Sequence, residues 1–570
     1  MKKIVSMLLA IVMLVGCLSV LGSCGAPKDD GAEFNIYLGN EVYDFDPSDY
    51  YADSTAEQVM SLLYEPLFSV NKKGKLVKAA ASDYDIDEEK RTVVVTLRET
   101  YWSDGVRVKA NDFVYAWCER ILNPNSPNPA AALLYDIENA RKVKSGEGTI
   151  SDIGVKATGI YELTITYREG ADVDRLLRNL ASVATSPLRQ DVVDTAPTYF
   201  SKMINTMVFS GPFQVRTYDY ATKEFSLERN LGYHQSPSTK NYTKNVTPGT
   251  MYSFFTASGS EMTVSYSDIE NKTRFFMCEA PLADRAAKED KATVVDTTSA
   301  YTYVFNLDKP LFKIPQVRQA LSMAIDREAI ANALVFAKAA DGILPDAAGG
   351  SSETLITTSA KLDEARALLA TVDLSGVSPY FTIKHADTEE ERYVAEAVAA
   401  AWNSLGYFTV TTVAVSEVKN SVGGSTFYDS GIQTLVKEAS YGKRNFDVLA
   451  VDWQYYCDDA FVGLSAFTSD TNGCGVDFSK NANRTNIAGY ANEAYDTLID
   501  SAFTKSGEER AALLRDAERL LVTDAAVCPI VFNSNFAFVS SELRKVETDG
   551  FGHFVLTKAK LKNYEDYLED

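Results

Sequence analysis

Along residues 92–121 the hydrophobic pattern changes period. In Thr92–Leu97 (TVVVTL) β-branched residues run together, which predicts a strand. Trp102 and the turn pair Asp104-Gly105 follow, and Asn111 then stands before a stretch in which Phe113, Trp117 and Ile121 recur every four positions. That spacing predicts an amphipathic helix capped by Asn111. Over 161–167 the period is two, with Leu163 and Ile165 set against Glu162, Thr164 and Thr166, which predicts a half-buried strand. Ser506-Gly507-Glu508-Glu509 has the form of a capping box opening a helix whose Leu513, Leu514, Ala517, Leu520 and Leu521 share one face. Residues 391–405 read as another helix, closed by Gly406 as C-cap. Strands interspersed with helices, without a repeat of solenoid length, predict an α/β protein of several lobes.

The chain has 570 residues, more than one core holds, and its 46% apolar and 11% aromatic content suffices for two or three domains. A net charge of −22 argues against nucleic acid and against a polybasic grip on anionic lipid, because both need clustered Lys and Arg. Its plain meaning is a soluble, self-repelling surface. At the N-terminus Lys2 and Lys3 precede an apolar run over 4–15, then small residues and cysteines, the grammar of a secretory signal. The run is shorter than the about 20 apolar residues a spanning helix needs. Leu21-Gly22-Ser23-Cys24 resembles a bacterial lipobox, with Cys24 the lipidated first residue of the mature chain and the following GAPKDDGAE, to about residue 34, a flexible tether. Leu14-Val15-Gly16-Cys17 also fits, but would leave an apolar stub over 18–21. A plain secretory signal or an N-terminal anchor is the alternative.

Five further cysteines, Cys118, Cys278, Cys457, Cys474 and Cys528, have no C-x-x-C pair, so neither a zinc framework nor a dense disulfide scaffold is implied. Cys118 and Cys528 sit among apolar residues as small hydrophobes. Cys457 and Cys474 lie in Gly- and Asp-rich sequence, where one bridge is the expectation for an oxidising compartment and free thiols for a reducing one. His234, His385 and His553 are isolated from one another and from Cys, so no triad and no metal site is expected. No H-E-x-x-H, G-x-S-x-G or Walker loop occurs, and no cofactor is implied. Asp458-Asp459 is better read as a turn than as a glycosidase acid and base.

Beyond these patterns the wording of the chain carries a resemblance. TVVVTLRETYWSDGVRVKANDFVYAW (92–117) is accompanied by FDP (45–47), YEPLFSV (64–70), GVKATGIYELTITY (154–167), SGPFQV (210–215), YVFNLDKPLF (303–312), VRQALSMAIDREAI (317–330), AWNSLGY (401–407), FDVLAVDW (446–453), YANEAYDTLID (490–500) and AERLLVTDAAVCPI (517–530). In this order they resemble the family 5 extracellular solute-binding proteins, the oligopeptide- and dipeptide-binding receptors of ABC importers. The resemblance implies a bilobal periplasmic-binding-protein-like fold (type II, cluster C) with an extra domain inserted in the first lobe. Lobe I would comprise about 35–70, 185–298 and 530–570, the inserted domain about 71–184, and lobe II about 299–529.

In that family an extended peptide lies between the lobes, its main chain paired with strand-like segments of each. Carried onto this chain, the first-lobe segment is Ala52-Asp53-Ser54 and the second-lobe segment runs from Asp452 to Asp458 around Trp453. Tyr135, Cys278 and Glu279 align near the ligand. Peptide-binding members carry an aspartate three residues after the tryptophan, where it pairs with the peptide α-amino group, a bond worth about 1.5–3 kcal/mol. Tyr456 stands there in this chain, and Asp458 or Asp459 is the expected replacement. The implied function is a lipid-anchored, non-enzymatic receptor on the outer face of the cell membrane, monomeric, taking short peptides to ABC permease subunits. The alternatives are an oligosaccharide or a nickel chelate as cargo, a peptide sensor or adhesin on the same fold, and, furthest off, an exported hydrolase.

Overall fold

The computed structural model describes residues 34–50, 53–235, 250–254, 275–422, 424–469 and 486–562. The signal-like run, the tether with Cys24, Ala52 and Cys474 lie outside these residues. Seven elements position the cleft: α1 (Ser54–Leu63), β1 (Ala292–Phe305), α2 (Glu389–Ser404), β2 (Val448–Gln454), α3 (Ala460–Ser465), α4 (Gly507–Asp524) and β3 (Val527–Val539).

Among the described residues the largest sheet runs, strand by strand, Thr409–Val415, Tyr380–Ala386, β2, β1, β3, Phe275–Cys278, Phe34–Tyr37, Thr250–Phe254, Phe225–Arg229 and Phe213–Tyr218. β1 and β3 occupy its middle and pair antiparallel from Ala292 opposite Phe538 to Val304 opposite Val527. One flank is built from residues 380–454 and the other from 34–278, so β1 and β3 are the strands that join the two halves. Their register slips between Asp296 and Ala300 and again between Tyr301 and Thr302. Such irregularities bend and twist a strand locally.

A separate antiparallel sheet orders its strands Ala81–Asp87, Thr92–Leu97, Glu162–Thr166 and Val155–Gly159. Its inward residues Val93, Val95, Leu97, Leu163 and Ile165 are buried, as the period of two requires. A second core lies under the other half of the large sheet, where Trp402 of α2 packs against Tyr303, Phe305 and Phe381.

Helix positions follow the sequence pattern, but two caps differ from it. Phe113, Trp117 and Ile121 are buried as the spacing of four demands, yet the helix begins at Ala110. Asp112, not Asn111, fastens its start, accepting from Lys109 N at 2.9 Å and from Trp102 Nε1 at 3.0 Å. The continuation Tyr115–Ile121 is a π-helix. At α4, Ser506 stands at the N-cap without a side-chain hydrogen bond. Gly507 adopts φ +56° and Glu509 pairs with Lys505 at 2.8 Å, so the reciprocal bonds of a capping box do not form. α2 is capped by Thr388, whose hydroxyl accepts from Glu391 N at 3.2 Å, and Gly406 beyond its end takes φ +81°.

Two of the landmark segments are fastened to each other. Gly211 of SGPF donates its N–H to Leu63 O at 2.8 Å, and Glu65 of YEPL donates its own to Ser210 Oγ at 3.3 Å. A Cβ at Gly211 would lie 2.6 Å from the Leu63 carbonyl carbon and from the Tyr64 nitrogen. α1 ends here because Glu65 precedes Pro66, which disfavours helical backbone at the residue before it.

Candidate functional site

α1 opens at Ser54 because Asp53 caps it, accepting from Ala56 N at 2.8 Å. The N–H of Ser54 has no acceptor within the helix. It donates instead to Asp452 Oδ2 of β2 at 2.9 Å, across 398 positions of sequence. The other oxygen of Asp452 accepts from Asn533 Nδ2 of β3 at 2.5 Å, and Gln433 Nε2 reaches Asp53 Oδ2 at 3.3 Å. A helix start from one half of the molecule and a strand from the other therefore meet at a carboxylate.

β2 is apolar over 448–451 and then changes character at Asp452, Trp453 and Gln454. Alternation places Asp452 and Gln454 on one face and Trp453 on the other. Across the sheet, Tyr301 and Ser299 of β1 lie opposite Asp452 and Gln454. Tyr301 donates its hydroxyl to Glu391 Oε2 at 3.1 Å, and the same carboxylate accepts from Ala386 N at 2.7 Å. Burial pushes the Asp53 carboxyl up to about 7 and that of Glu391 up to about 8. Burial also raises Asp452, with the nearby Glu57 and Glu390 adding to the effect. Glu390 is paired with Arg285, and Glu57 faces His553 at 3.4 Å. Among the described residues no Lys, Arg or His forms an ion pair with Asp53, Asp452 or Glu391.

Beside this face is a cavity lined by Tyr37, Thr55, Gln58, Cys278, Glu279 and Asn535 among others. Burial raises the Glu279 carboxyl to about 8. The geometry thus brings Asp53, Ser54, Cys278 and Glu279 to one region, with Asp452, Glu391, Gln454 and Asn533 added to it. Of these, Asp452 and Gln454 fall within the segment from Asp452 to Asp458 that the resemblance implied, whereas Glu391 and Asn533 were not singled out as site residues from the sequence. The available signal was the run VLAVDWQ, in which polar residues enter a buried strand at alternate positions.

The remaining expected residues lie elsewhere. Trp453 points to the opposite face of β2, where its indole stacks on Phe467 at 5.0 Å in the core. Tyr456 follows the strand in left-handed backbone, φ +67°, and its buried ring lies 5.4 Å from that of Tyr50. Tyr135 is buried at the end of the short helix Pro129–Leu134. Asp458 pairs with Arg178. Asp459 caps α3, accepting from Phe461 N at 3.1 Å, and pairs with Arg510 at 2.8 Å and Arg175 at 3.6 Å. Neither carboxylate faces Asp452; each is matched by guanidinium. Cys457 carries a free, buried thiol whose Sγ lies 3.5 Å from Asn179 Oδ1, and Cys474, its possible bridging partner, lies outside the described residues.

Arg175 and Arg178 belong to the segment before residue 184, and Arg510 to α4, so these pairs are part of a larger interface. In it Arg141 pairs with Asp500, Arg168 Nη2 donates to Phe503 O at 2.5 Å, and the Arg141 and Arg168 guanidiniums lie over the Phe503 ring at 4.6 and 4.0 Å. Among the described residues no cluster suited to a metal ion occurs, and no helix is long and apolar enough to cross a membrane.

Comparison with known proteins agrees with this architecture. Residues 75–474 match the family described as bacterial extracellular solute-binding proteins, family 5 (middle). The dipeptide-binding protein DppE of Bacillus subtilis (strain 168) is 23% identical over 562 residues, covering 94% of this chain and 93% of that protein. OppA of Haemophilus influenzae, solved in complex with RPPGFSPFR, superposes with a TM-score of 0.75 at 22% identity over 94% of this chain and 100% of that one. The Escherichia coli murein tripeptide binding protein MppA superposes with a TM-score of 0.74 at 21% identity, over 94% of this chain and 99% of that one. The unliganded open form of MppA reaches 0.55 at 21% identity, over 94% and 98%. The fold is the bilobal periplasmic-binding fold of these proteins.

Proposed function

This chain belongs to the bacterial extracellular solute-binding proteins of family 5, and from that premise we propose that it encloses a short peptide between two lobes and delivers it to the permease of an ABC importer. The observation that carries this reading is the bond from the α1 N-terminus to Asp452, which joins strand-edge and helix-end groups of the two halves where a peptide main chain would lie. The names of the relatives, dipeptide- and oligopeptide-binding proteins, support peptide as the cargo. The lobes follow the two flanks of the large sheet, lobe I over 35–70, 185–298 and 530–570 and lobe II over 299–529, with 71–184 inserted. β1 and β3, with their register slips, are the hinge. Closure is driven by contacts the ligand makes only when both lobes reach it. The drop in TM-score between the two MppA structures supports reading the present arrangement as closed. Cys24 is the lipid anchor on the outer face of the membrane.

In this reading Asp53, Ser54, Cys278 and Glu279 line the ligand, Trp453, Tyr456 and Tyr135 support it from the core, and Asp458 and Asp459 hold the inserted domain to lobe II. No covalent step is involved. Native mass spectrometry of protein purified without denaturation is the test, because it displays retained cargo directly. Peptide masses released intact are the expected result. A retained oligosaccharide or nickel chelate would replace the peptide, and cleavage of added peptides would overturn the receptor reading.

A further inference from the structure

We propose that the hairpin formed by Val418–Val422 and Ser425–Asp429 is a clasp that joins the two halves of the molecule away from the hinge strands, and so sets how much of the receptor is closed before a ligand arrives. This rests on the lobe-closure reading and deepens it: the closed state has a fastening of its own, in addition to the contacts a ligand supplies.

The hairpin leaves the chain directly after Thr409–Val415, the strand at one edge of the large sheet, whereas Phe213–Tyr218 is the strand at the other edge. Ten strands lie along that path, so at about 4.8 Å per strand a flat sheet would hold its edges about 40 Å apart. The sheet curls instead. Glu417, just beyond the first edge strand, pairs at 2.7 Å with Lys223, which lies between Phe213–Tyr218 and its neighbour Phe225–Arg229. Asp429, at the far end of the hairpin, pairs with Lys202, which Asp44 also meets at 3.1 Å. Both lysines therefore come from one half of the molecule, and both hairpin carboxylates from the other.

The hairpin has no core on the half from which it grows. Its two strands pair with each other, and among their described residues Phe427 is the one that is fully buried. That ring belongs to none of the three hydrophobic cores. It is lodged between Tyr199 at 5.8 Å and Tyr220 at 5.9 Å, on the opposite half. Lys223 is placed in the same way: its side chain is 3% exposed, its ammonium lies 4.4 Å from the centre of the Tyr428 ring, and Glu417 is its carboxylate partner. A two-stranded hairpin is marginal alone, so the order of this one comes from the half it grips. Its seam consists of ion pairs, tyrosines and a single phenylalanine, groups that pair when the halves meet and take up water when they part. The contact can therefore break and re-form without opening a hydrophobic core. Because it is made only when the halves are together, it raises the closed fraction, and apparent affinity for a ligand scales with that fraction.

The test compares wild type, Glu417→Lys and Phe427→Ser by small-angle X-ray scattering of the ligand-free proteins, and by native mass spectrometry after exposure to a peptide pool from hydrolysed casein. Both variants should have a larger radius of gyration than wild type without peptide, return to the wild-type radius at saturating peptide, and retain the pool about tenfold less well at limiting peptide. Adding Lys223→Glu to Glu417→Lys should re-form the ion pair and reverse both effects. Ligand-free radii equal to that of wild type would overturn the clasp, whether or not retention falls, since retention lost without opening makes the hairpin a ligand contact. Opening with unchanged retention would also overturn it, because closure would then not be coupled to binding. Retention of no peptide by wild type would overturn the peptide reading, and the ligand-free radii would then decide the clasp alone: larger in the variants supports it, equal overturns it. Phe427 lies outside the hydrophobic cores, so Phe427→Ser carries both measurements should Glu417→Lys not fold.

Discussion

Asp459 and Arg510 meet at 2.8 and 3.0 Å, carboxylate to a single guanidinium nitrogen, with the Asp459 side chain 4% exposed. Arg175 approaches the same carboxylate from the helix Val173–Asn179 at 3.6 Å, so one aspartate ties three parts of the chain together.

Removing one partner of such a buried pair leaves the other charge unmatched, at a cost of about 3–5 kcal/mol. Asp459→Asn is therefore expected to lower the urea midpoint substantially. It should weaken a free-amine peptide and its N-acetylated analogue by the same factor, since the carboxylate faces arginine and not the cluster around Asp452. Calorimetric titration of both peptides checks this. A loss confined to the free amine would restore Asp459 to the amino-terminal role that the sequence suggested for it.

Gly211→Ala is expected to destabilise by about 1–3 kcal/mol, because the added carbon meets the Leu63 and Tyr64 backbone, which has no room to yield. Gly376 is the control: nothing lies within 4 Å of a Cβ built there, so Gly376→Ala should be neutral or slightly stabilising. Urea unfolding of the two variants separates the predictions.

What was legible in the sequence followed its periodicity. Phe113, Trp117 and Ile121 on a helix, and Leu163 and Ile165 on a strand, are buried where the pattern put them, because burial of one face is what the period encodes. Caps were less legible. Asn111 and Asp112 are both good capping residues, and the choice fell to Asp112 through Trp102, which only the tertiary fold brings near. The same holds at the candidate site. Asp53 and Ser54 are close to Asp452 across 398 positions, and no local pattern reports that pairing. The side of β2 on which Trp453 lies was likewise decided by Phe467, and the fate of Asp458 and Asp459 by arginines from distant segments.

If Cys24 is the lipid anchor, as proposed, Cys24→Ser is expected to release the protein into the medium or leave an uncleaved precursor, because the substitution removes the thiol that would carry the thioether-linked diacylglycerol. Labelling with a fatty-acid probe checks it. Retained labelling in Cys24→Ser, together with its loss in Cys17→Ser, would move the anchor to Cys17.

His553 provides a pH dependence of stability. Its Nδ1 lies 2.7 Å from Asp549 and its Nε2 3.4 Å from Glu57. Burial alone would lower its pKa, but the two carboxylates outweigh burial and raise it from 6.5 to about 10. The folded state then holds a proton that the unfolded chain releases earlier, so this contribution is complete below about pH 6.5 and is lost as the pH rises toward about 10. Asp53 and Glu391, raised to about 7 and about 8, act with the same sign in a lower window that begins near the ordinary carboxylate values of 3.8 and 4.5. Ligand-free protein should therefore lose stability from mildly acidic toward alkaline pH. His553→Gln removes only the upper part, so its stability deficit relative to wild type should be largest near pH 6 and shrink toward pH 10. Urea unfolding at a series of pH values measures that difference directly. A deficit that does not change with pH would mean that His553 is neutral between Asp549 and Glu57 and serves there only as a hydrogen-bonding spacer.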